Sequence, residues 1–181
     1  HLLNNPINTL VNVCKKLKEK KLDKGNKNFQ PSNLEFTGIY VDNKAHNVIP
    51  AKARAQFNIR YNNFHTAKSL KKKINTMVKN ICKKNKCAFK IEYLANGDSF
   101  LTKPEKTIFM AKKIIKKITR INPKFSTTGG TSDARFIRKI APCLEFGLVN
   151  KTMHKIDECV SISDLRKLTD IYKNILVEYF K

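Results

Sequence analysis

Ala53-Arg-Ala-Gln-Phe-Asn-Ile-Arg-Tyr61 alternates small or apolar residues with polar ones along its whole length. Successive side chains of an extended chain point to opposite faces, so Ala53, Ala55, Phe57 and Ile59 share one side and Arg54, Gln56, Asn58 and Arg60 the other. The run predicts a strand from about Val48 to Tyr61 with one buried and one polar face. Just upstream, Asn33-Leu-Glu-Phe-Thr-Gly-Ile-Tyr-Val41 predicts a second strand, rich in residues that suit a pleated surface. The turn residues Asp42-Asn-Lys-Ala-His-Asn47 join the two.

Helical patterns flank this pair. Ile7, Leu10, Val11, Cys14 and Leu17 recur at helical spacing after Pro6, which suits a first turn, and the Lys-rich run before Gly25 ends the pattern. Leu70, Ile74, Met77, Val78 and Ile81 mark a second amphipathic helix from about Thr66 to Lys83. Cys87 to Leu94 then predicts a third strand, closed by the turn at Asn96-Gly97. The order helix, strand, strand, helix, strand becomes the β-α-β-β-α-β ferredoxin-like plan if one strand precedes it. Residues 1–99 are therefore expected to form an α+β domain lacking its first strand.

Residues 100–181 read as a second unit. Thr102 and Pro104 are expected to open a helix carrying Ile108, Ala111, Ile114, Ile115 and Ile118, stopped at Asn122-Pro123. A short strand near Phe125, a short helix from Ser132 to Ile140, a strand from Cys143 to Phe146 and a helix from Ser161 to Phe180, capped by Ser161 or Ser163, complete it. Strand-turn-helix units need a sheet covered on both faces. This stretch is too small to enclose one and reads as the C-terminal part of a larger α/β domain.

The chain of 181 residues is 41% hydrophobic and 28% charged, the composition of a folded protein and not of a disordered one. It holds no apolar run long enough to span a bilayer and no signal-peptide layout, so a cytoplasmic setting and no membrane partner are expected. It opens without methionine almost directly on a helical pattern, as a cut chain would. Its net charge of +23 invites a basic nucleic-acid-binding module as an alternative. Only six basic residues are arginine, however, and the lysines are scattered over almost every helix. That distribution reads as solvated faces, with no specific nucleic-acid partner. Five cysteines form no C-x-x-C pair and no Cys/His zinc spacing, which reads as free thiols in a reducing compartment.

Three groups could carry chemistry. Gly129 and Gly130 permit close backbone approach, Thr131 and Ser132 add hydroxyl donors, and the following helix start offers unpaired N–H groups to an anion. Arg135 falls in the first helical turn, where the dipole disfavours a cation unless an anion lies between. Equally, Ser132 or Asp133 simply caps a helix and Arg135 points to water. His154 lies in a loop with Asn150 before it and Asp157 and Glu158 after it, suited either to a metal or to solvent. No other histidine stands at ligand spacing from it, so any co-ligands would lie upstream. Asn47, at the tip before the second strand, and Arg60, on that strand's polar face and able to pair with a carboxylate, form the third group; on the residues alone a surface arginine on a half-exposed strand is the favoured reading.

Taken in order, His1-Leu2 with Asn5-Pro-Ile7, Asn47-Val-Ile-Pro50 with Phe57-Asn-Ile-Arg-Tyr61, Thr128-Gly-Gly-Thr-Ser-Asp133 with Arg135-Phe-Ile137, and Glu145-Phe-Gly147 with Asn150, Thr152, His154-Lys155 and Glu158-Cys-Val160 resemble the desuccinylase branch of the dizinc aminoacylase/carboxypeptidase metallohydrolase family. The resemblance covers essentially the whole chain. It implies a lid domain that pairs two subunits into a homodimer (1–99) and the C-terminal part of a zinc-bearing catalytic domain (100–181). The implied reaction cleaves the amide of N-succinyl-L,L-2,6-diaminopimelate to succinate and L,L-diaminopimelate, in lysine and cell-wall precursor synthesis. A related N-acyl-amino-acid deacylase or carboxypeptidase is the alternative within the family.

By position, the resemblance makes His154 the last ligand of a second zinc. It makes Asn47, Arg60, Gly129, Gly130, Thr131, Arg135 and Asn150 substrate-binding groups. The remaining ligands and the general base would lie upstream, leaving this chain inactive alone. His46 replaces a usual asparagine and Ala134 a usual glycine, and the first of these bears on which acyl group is accepted.

Overall fold

The computed structural model describes residues 4–129 and 132–181. The chain divides into two compact units, His1–Phe100 and Leu101–Lys181. The first is α+β and the second helical among the described residues.

In the first unit, helix α1 (Pro6–Glu19) starts where Pro6 supplies a preset first turn and the Asn5 side chain accepts from the Ile7 amide at 2.9 Å. Thr9, Val13 and Leu17 recur every four residues and form its buried stripe. Strands β1 (Asn33–Tyr40) and β2 (Arg54–Arg60) pair antiparallel, with Asn33 opposite Arg60, Phe36 opposite Phe57 and Tyr40 opposite Arg54. The register slips between Phe36 and Gly38, a bulge that leaves Thr37 unmatched. Leu34 and Phe36 face inward before it, whereas Ile39 beyond it is exposed.

Helix α2 (Ala67–Lys84) opens on a capping box in which Thr66 Oγ1 accepts from the Ser69 amide and Ser69 Oγ accepts from the Thr66 amide. Its buried residues Leu70, Ile74, Val78 and Cys82 lie four apart. Val13, Leu17, Leu34, Ile74, Val78 and Cys82 make the core, flanked by Phe36, Phe57, Ile59, Met77 and Ile81. Two helices thus cover one face of a two-stranded ribbon.

The strand expected from Cys87 to Leu94 does not form: the described sheet has two strands. The alternation is nonetheless real, because Ile91 and Tyr93 pack against the core while Glu92 and Leu94 are exposed. Period-two patterning reports which side of an extended segment is buried and not whether its backbone finds a ladder partner. The strand expected from Val48 likewise begins only at Arg54.

A connection legible only in three dimensions closes this unit. The Asp23 carboxylate, in the loop after α1, accepts from the amides of Gly25 (2.7 Å) and Ser32 (3.2 Å) and from Asn62 Nδ2 (2.7 Å). His65 Nε2 lies 3.0 Å from its other oxygen. The Asn62 main-chain amide also donates to Ser32 Oγ at 3.0 Å, and its Nδ2 donates to the Gln30 carbonyl at 3.0 Å.

In the second unit, helix α3 (Lys106–Thr119) packs on helix α5 (Ile162–Tyr179), burying Ile108, Ala111, Ile115 and Ile171. The expected cap at Thr102 is corrected: α3 starts two residues past Pro104, with Glu105 at the N-cap making no side-chain bond. Thr102 is too far upstream to reach the first free amides. The helix also stops before Asn122-Pro123, at Arg120 in the left-handed conformation (φ 62°). Ser161 caps α5 as expected, accepting from the Asp164 amide at 3.0 Å.

Helix α4 is a single turn, Ala134–Ile137, in place of the longer one expected to Ile140. The strands expected near Phe125 and at 143–146 are absent among the described residues of this unit. An isolated strand leaves its N–H and C=O groups without partners, and no second strand is present here to supply them.

Candidate functional site

Arg60 ends β2 on its exposed face. Among the described residues its guanidinium takes no hydrogen-bond or ion-pair partner, although the two residues after it are firmly held. Tyr61 Oη lies 2.8 Å from Asp98 Oδ1 and 3.0 Å from the Gly97 carbonyl, and Asn62 joins the Asp23 cluster. Burial, then the neighbouring Asp98 carboxylate, push the Tyr61 phenol up to about 12, so it remains a proton donor at neutral pH.

Asn47 occupies the exposed tip of the β1–β2 connection. Asn43 folds that loop: its side chain accepts from the Ala45 amide at 3.1 Å and donates to the Val48 carbonyl at 2.6 Å. The result is an open cleft of about 620 Å³ between Asn5 and Ile7 of α1, Val41, and the loop from Asn43 to Pro50. His46 and Asn47 both line it.

In the second unit, Gly129 lies in open surroundings: a methyl group added there would meet no atom within 4 Å. Gly130 and Thr131 lie outside the described residues. Ser126 Oγ accepts from the Thr128 amide at 3.0 Å, which folds the approach into a tight turn. Of the two capping candidates, Ser132 makes the bond, its Oγ accepting from the Ala134 amide at 3.1 Å, while Asp133 makes no side-chain cap.

Two readings of this segment are corrected. A one-turn helix has little aligned dipole, so α4 is a poor anion site in its own right. Nor does Arg135 simply extend into water. Its guanidinium carbon lies 4.7 Å from the centre of the Phe136 ring, and its Nε is buried with no hydrogen-bond partner. The half-buried guanidinium therefore keeps an N–H without an acceptor among the described residues.

Asn150 and His154 stand at either end of a turn. The Asn150 carbonyl accepts from the Met153 amide at 3.3 Å, and His154 is left-handed at φ 62° with its amide 3.3 Å from Glu158 Oε2. Thr152 locks this turn, its Oγ1 donating to the Cys159 carbonyl at 2.7 Å and accepting from the Cys159 amide at 3.0 Å. The His154 imidazole is exposed. No group of three or more His, Cys, Asp or Glu side chains able to hold a metal occurs among the described residues. One exposed imidazole fits a zinc ion as a single ligand, and a catalytic site needs about three from the protein.

Arg60 and Asn47 thus belong to the first unit, and Gly129, Arg135, Asn150 and His154 to the second. Tyr61, Asp98, Asp23 and His65 were not singled out from sequence. Only the Asn96-Gly97-Asp98 turn gave a local signal, and nothing local links it to Tyr61.

Comparison with known proteins supplies an independent line. Residues 1–86 match the peptidase dimerisation domain family. The chain is 62% identical over 180 residues to a succinyl-diaminopimelate desuccinylase of Pelagibacter ubique (strain HTCC1062), a match covering 99% of this chain and 47% of that protein. It is 48% identical over 175 residues to the protein of that name from Rickettsia bellii (strain RML369-C), covering 97% of this chain and 45% of the relative. The chain spans about half the length of the curated relatives it matches. No described helix is long and apolar enough to cross a membrane.

Proposed function

We propose that this chain, which carries a peptidase dimerisation domain in residues 1–86 and is kin to the succinyl-diaminopimelate desuccinylases along nearly its whole length, is the lid and carboxylate-binding part of such an enzyme. The complete protein is then a zinc-dependent amidohydrolase that divides N-succinyl-L,L-2,6-diaminopimelate into succinate and L,L-diaminopimelate in the cytoplasm. It works as a homodimer paired through residues 1–99, with residues 100–181 completing the catalytic domain. The observation that carries this reading is the high identity to the desuccinylase of Pelagibacter ubique over 99% of the chain.

The side chains suit that substrate. It bears several carboxylates, and Arg60 and Arg135 are each without an acidic partner among the described residues. A planar guanidinium grips a carboxylate through two parallel N–H bonds, which fixes orientation as well as charge. Asn47 and Asn150 offer amide groups for the polar atoms between the carboxylates. Gly129, with no side chain in the way, lets the main chain approach. Gly130 and Thr131 are further substrate-binding groups in this reading.

Water adds across the amide in the reaction: its oxygen joins the succinyl carbon, the C–N bond breaks, and the amine leaves with a proton. Zinc, when bound, polarises the amide carbonyl and makes the attacking water more acidic. His154 would hold one of two ions. The other ligands and the general base belong to parts of the complete protein outside this chain, so residues 1–181 alone are inactive.

A second acyl specificity within the same chemistry draws on His46, exposed beside Asn47 on the cleft wall. An imidazole there changes the polar contact offered to the acyl chain. Steady-state assay of the complete zinc-loaded protein against N-succinyl, N-acetyl and N-glutaryl substrates tests both readings. Preference for N-succinyl-L,L-diaminopimelate is expected. A higher kcat/KM for another acyl group would move the assignment to a sister deacylase, and hydrolysis of none would remove it.

A further inference from the structure

Arg60 combines a guanidinium that has no partner among the described residues with a backbone anchored just beyond it. A strand end ordinarily frays, since its last residues have few partners. Here, Tyr61 Oη reaches Asp98 Oδ1 at 2.8 Å and the Gly97 carbonyl at 3.0 Å. The same Asp98 oxygen accepts from the amide of Ala67, the first residue of α2, at 2.9 Å. A carboxylate at the start of an 18-residue helix is favourably placed against its dipole. Gly97, at φ 130°, turns its carbonyl toward the phenol in a conformation that side-chain-bearing residues rarely adopt.

One carboxylate, on the segment leading out of the first unit, therefore ties together the end of β2 and the start of α2, 37 and 31 residues away from it in sequence. Asn62, buried in the Asp23 cluster, holds the next residue from a different direction. The chain on the exit side of Arg60 is held by two separate sets of bonds.

We propose that Tyr61 and Asp98 are positioning residues for Arg60: their hydrogen bond sets the end of β2 so that the Arg60 guanidinium is presented to a substrate carboxylate. Neither side chain touches substrate. This inference rests on the reading of Arg60 as a substrate-binding group. The reward for such a device is large, because small misplacements of a binding group are costly in catalysis.

The experiment uses the complete zinc-loaded protein with N-succinyl-L,L-diaminopimelate. Tyr61→Phe and Asp98→Ala are each expected to raise KM about tenfold with kcat within about twofold of the parent. Asp98→Asn, which keeps an acceptor oxygen, should restore KM to within about threefold. Adding Tyr61→Phe to Arg60→Ala should change KM by less than about twofold, since the group being positioned is gone.

Hydrogen exchange at the amides of residues 60–62 gives a readout independent of turnover and should accelerate in Tyr61→Phe. An unchanged KM in Tyr61→Phe, or an equal rise in the Arg60→Ala background, would overturn the positioning role. If Arg60→Ala itself leaves KM unaltered, the substrate-binding reading of Arg60 fails and takes this inference with it. If Arg60→Ala raises KM and Tyr61→Phe does not, this inference alone fails.

Discussion

His65 Nε2 lies 3.0 Å from Asp23 Oδ2, with side-chain exposures of 5% and 9%, across 42 residues of sequence. The pair ties the loop between α1 and β1 to the loop between β2 and α2. Burial raises the Asp23 carboxyl, but donors from Ser32, Gly25 and Asn62 outweigh it and hold the group well below the ordinary carboxylate range. A depressed folded pKa contributes stability that is present above the unfolded value of about 4 and is lost as pH falls below it. Urea midpoints should therefore hold steady down to about pH 4 and decline below it. Asp23→Ala should cost about 3 kcal/mol at neutral pH, because it leaves buried donors unmatched, and should flatten the acid limb. An acid limb of undiminished steepness in that variant would place its origin elsewhere.

The Tyr61 phenol, raised to about 12, has the opposite sign. Its neutral form is favoured by the fold, so the contribution is complete below the unfolded value of about 10 and disappears as pH rises through about 12. Ultraviolet titration should show one tyrosine ionising late. Asp98→Asn, which removes the neighbouring charge, should bring that transition to lower pH.

Arg135→Lys in the complete enzyme should lower kcat/KM by about 10- to 100-fold with little change in thermal stability, because a lysine cannot supply the forked contact. Among the described residues the Arg135 Nε has no acceptor to lose. An unaltered kcat/KM would mean that its acceptor is not the substrate.

His154→Ala should reduce the zinc content of the complete protein from two ions toward one, measured by metal analysis after dialysis. Exposure of the imidazole and the Thr152–Cys159 clasp that holds the turn both argue that the fold will survive the change. Full zinc occupancy would remove His154 from the ligand set.

Much of this architecture was legible because it is written in short-range patterns. Pro6 in a first turn, the Ser161 cap and the helical spacing of Leu70, Ile74, Met77, Val78 and Ile81 are local signals, and the helices follow them. The alternation from Arg54 to Arg60 likewise located β2 and its buried face. The same logic overreached at 87–94, where the alternation of Ile91 and Tyr93 is honoured by packing without a ladder. It overreached again at Phe125 and 143–146, where a strand pattern has no neighbour to pair with among the described residues.

By itself, then, the sequence determined which stretches are helical, which faces are apolar, and which residues are chemically able to meet a carboxylate or a metal. Only the tertiary structure decided which of them are held and which are left free. Among the described residues Arg60 is unpartnered yet anchored through Tyr61 to Asp98, and the Arg135 Nε is buried beside an aromatic ring with no acceptor. The physical reason is that helix and strand propensity act over a few residues. Hydrogen bonds such as Tyr61 to Asp98 and Asp23 to His65 join segments 37 and 42 residues apart, and no local pattern encodes them.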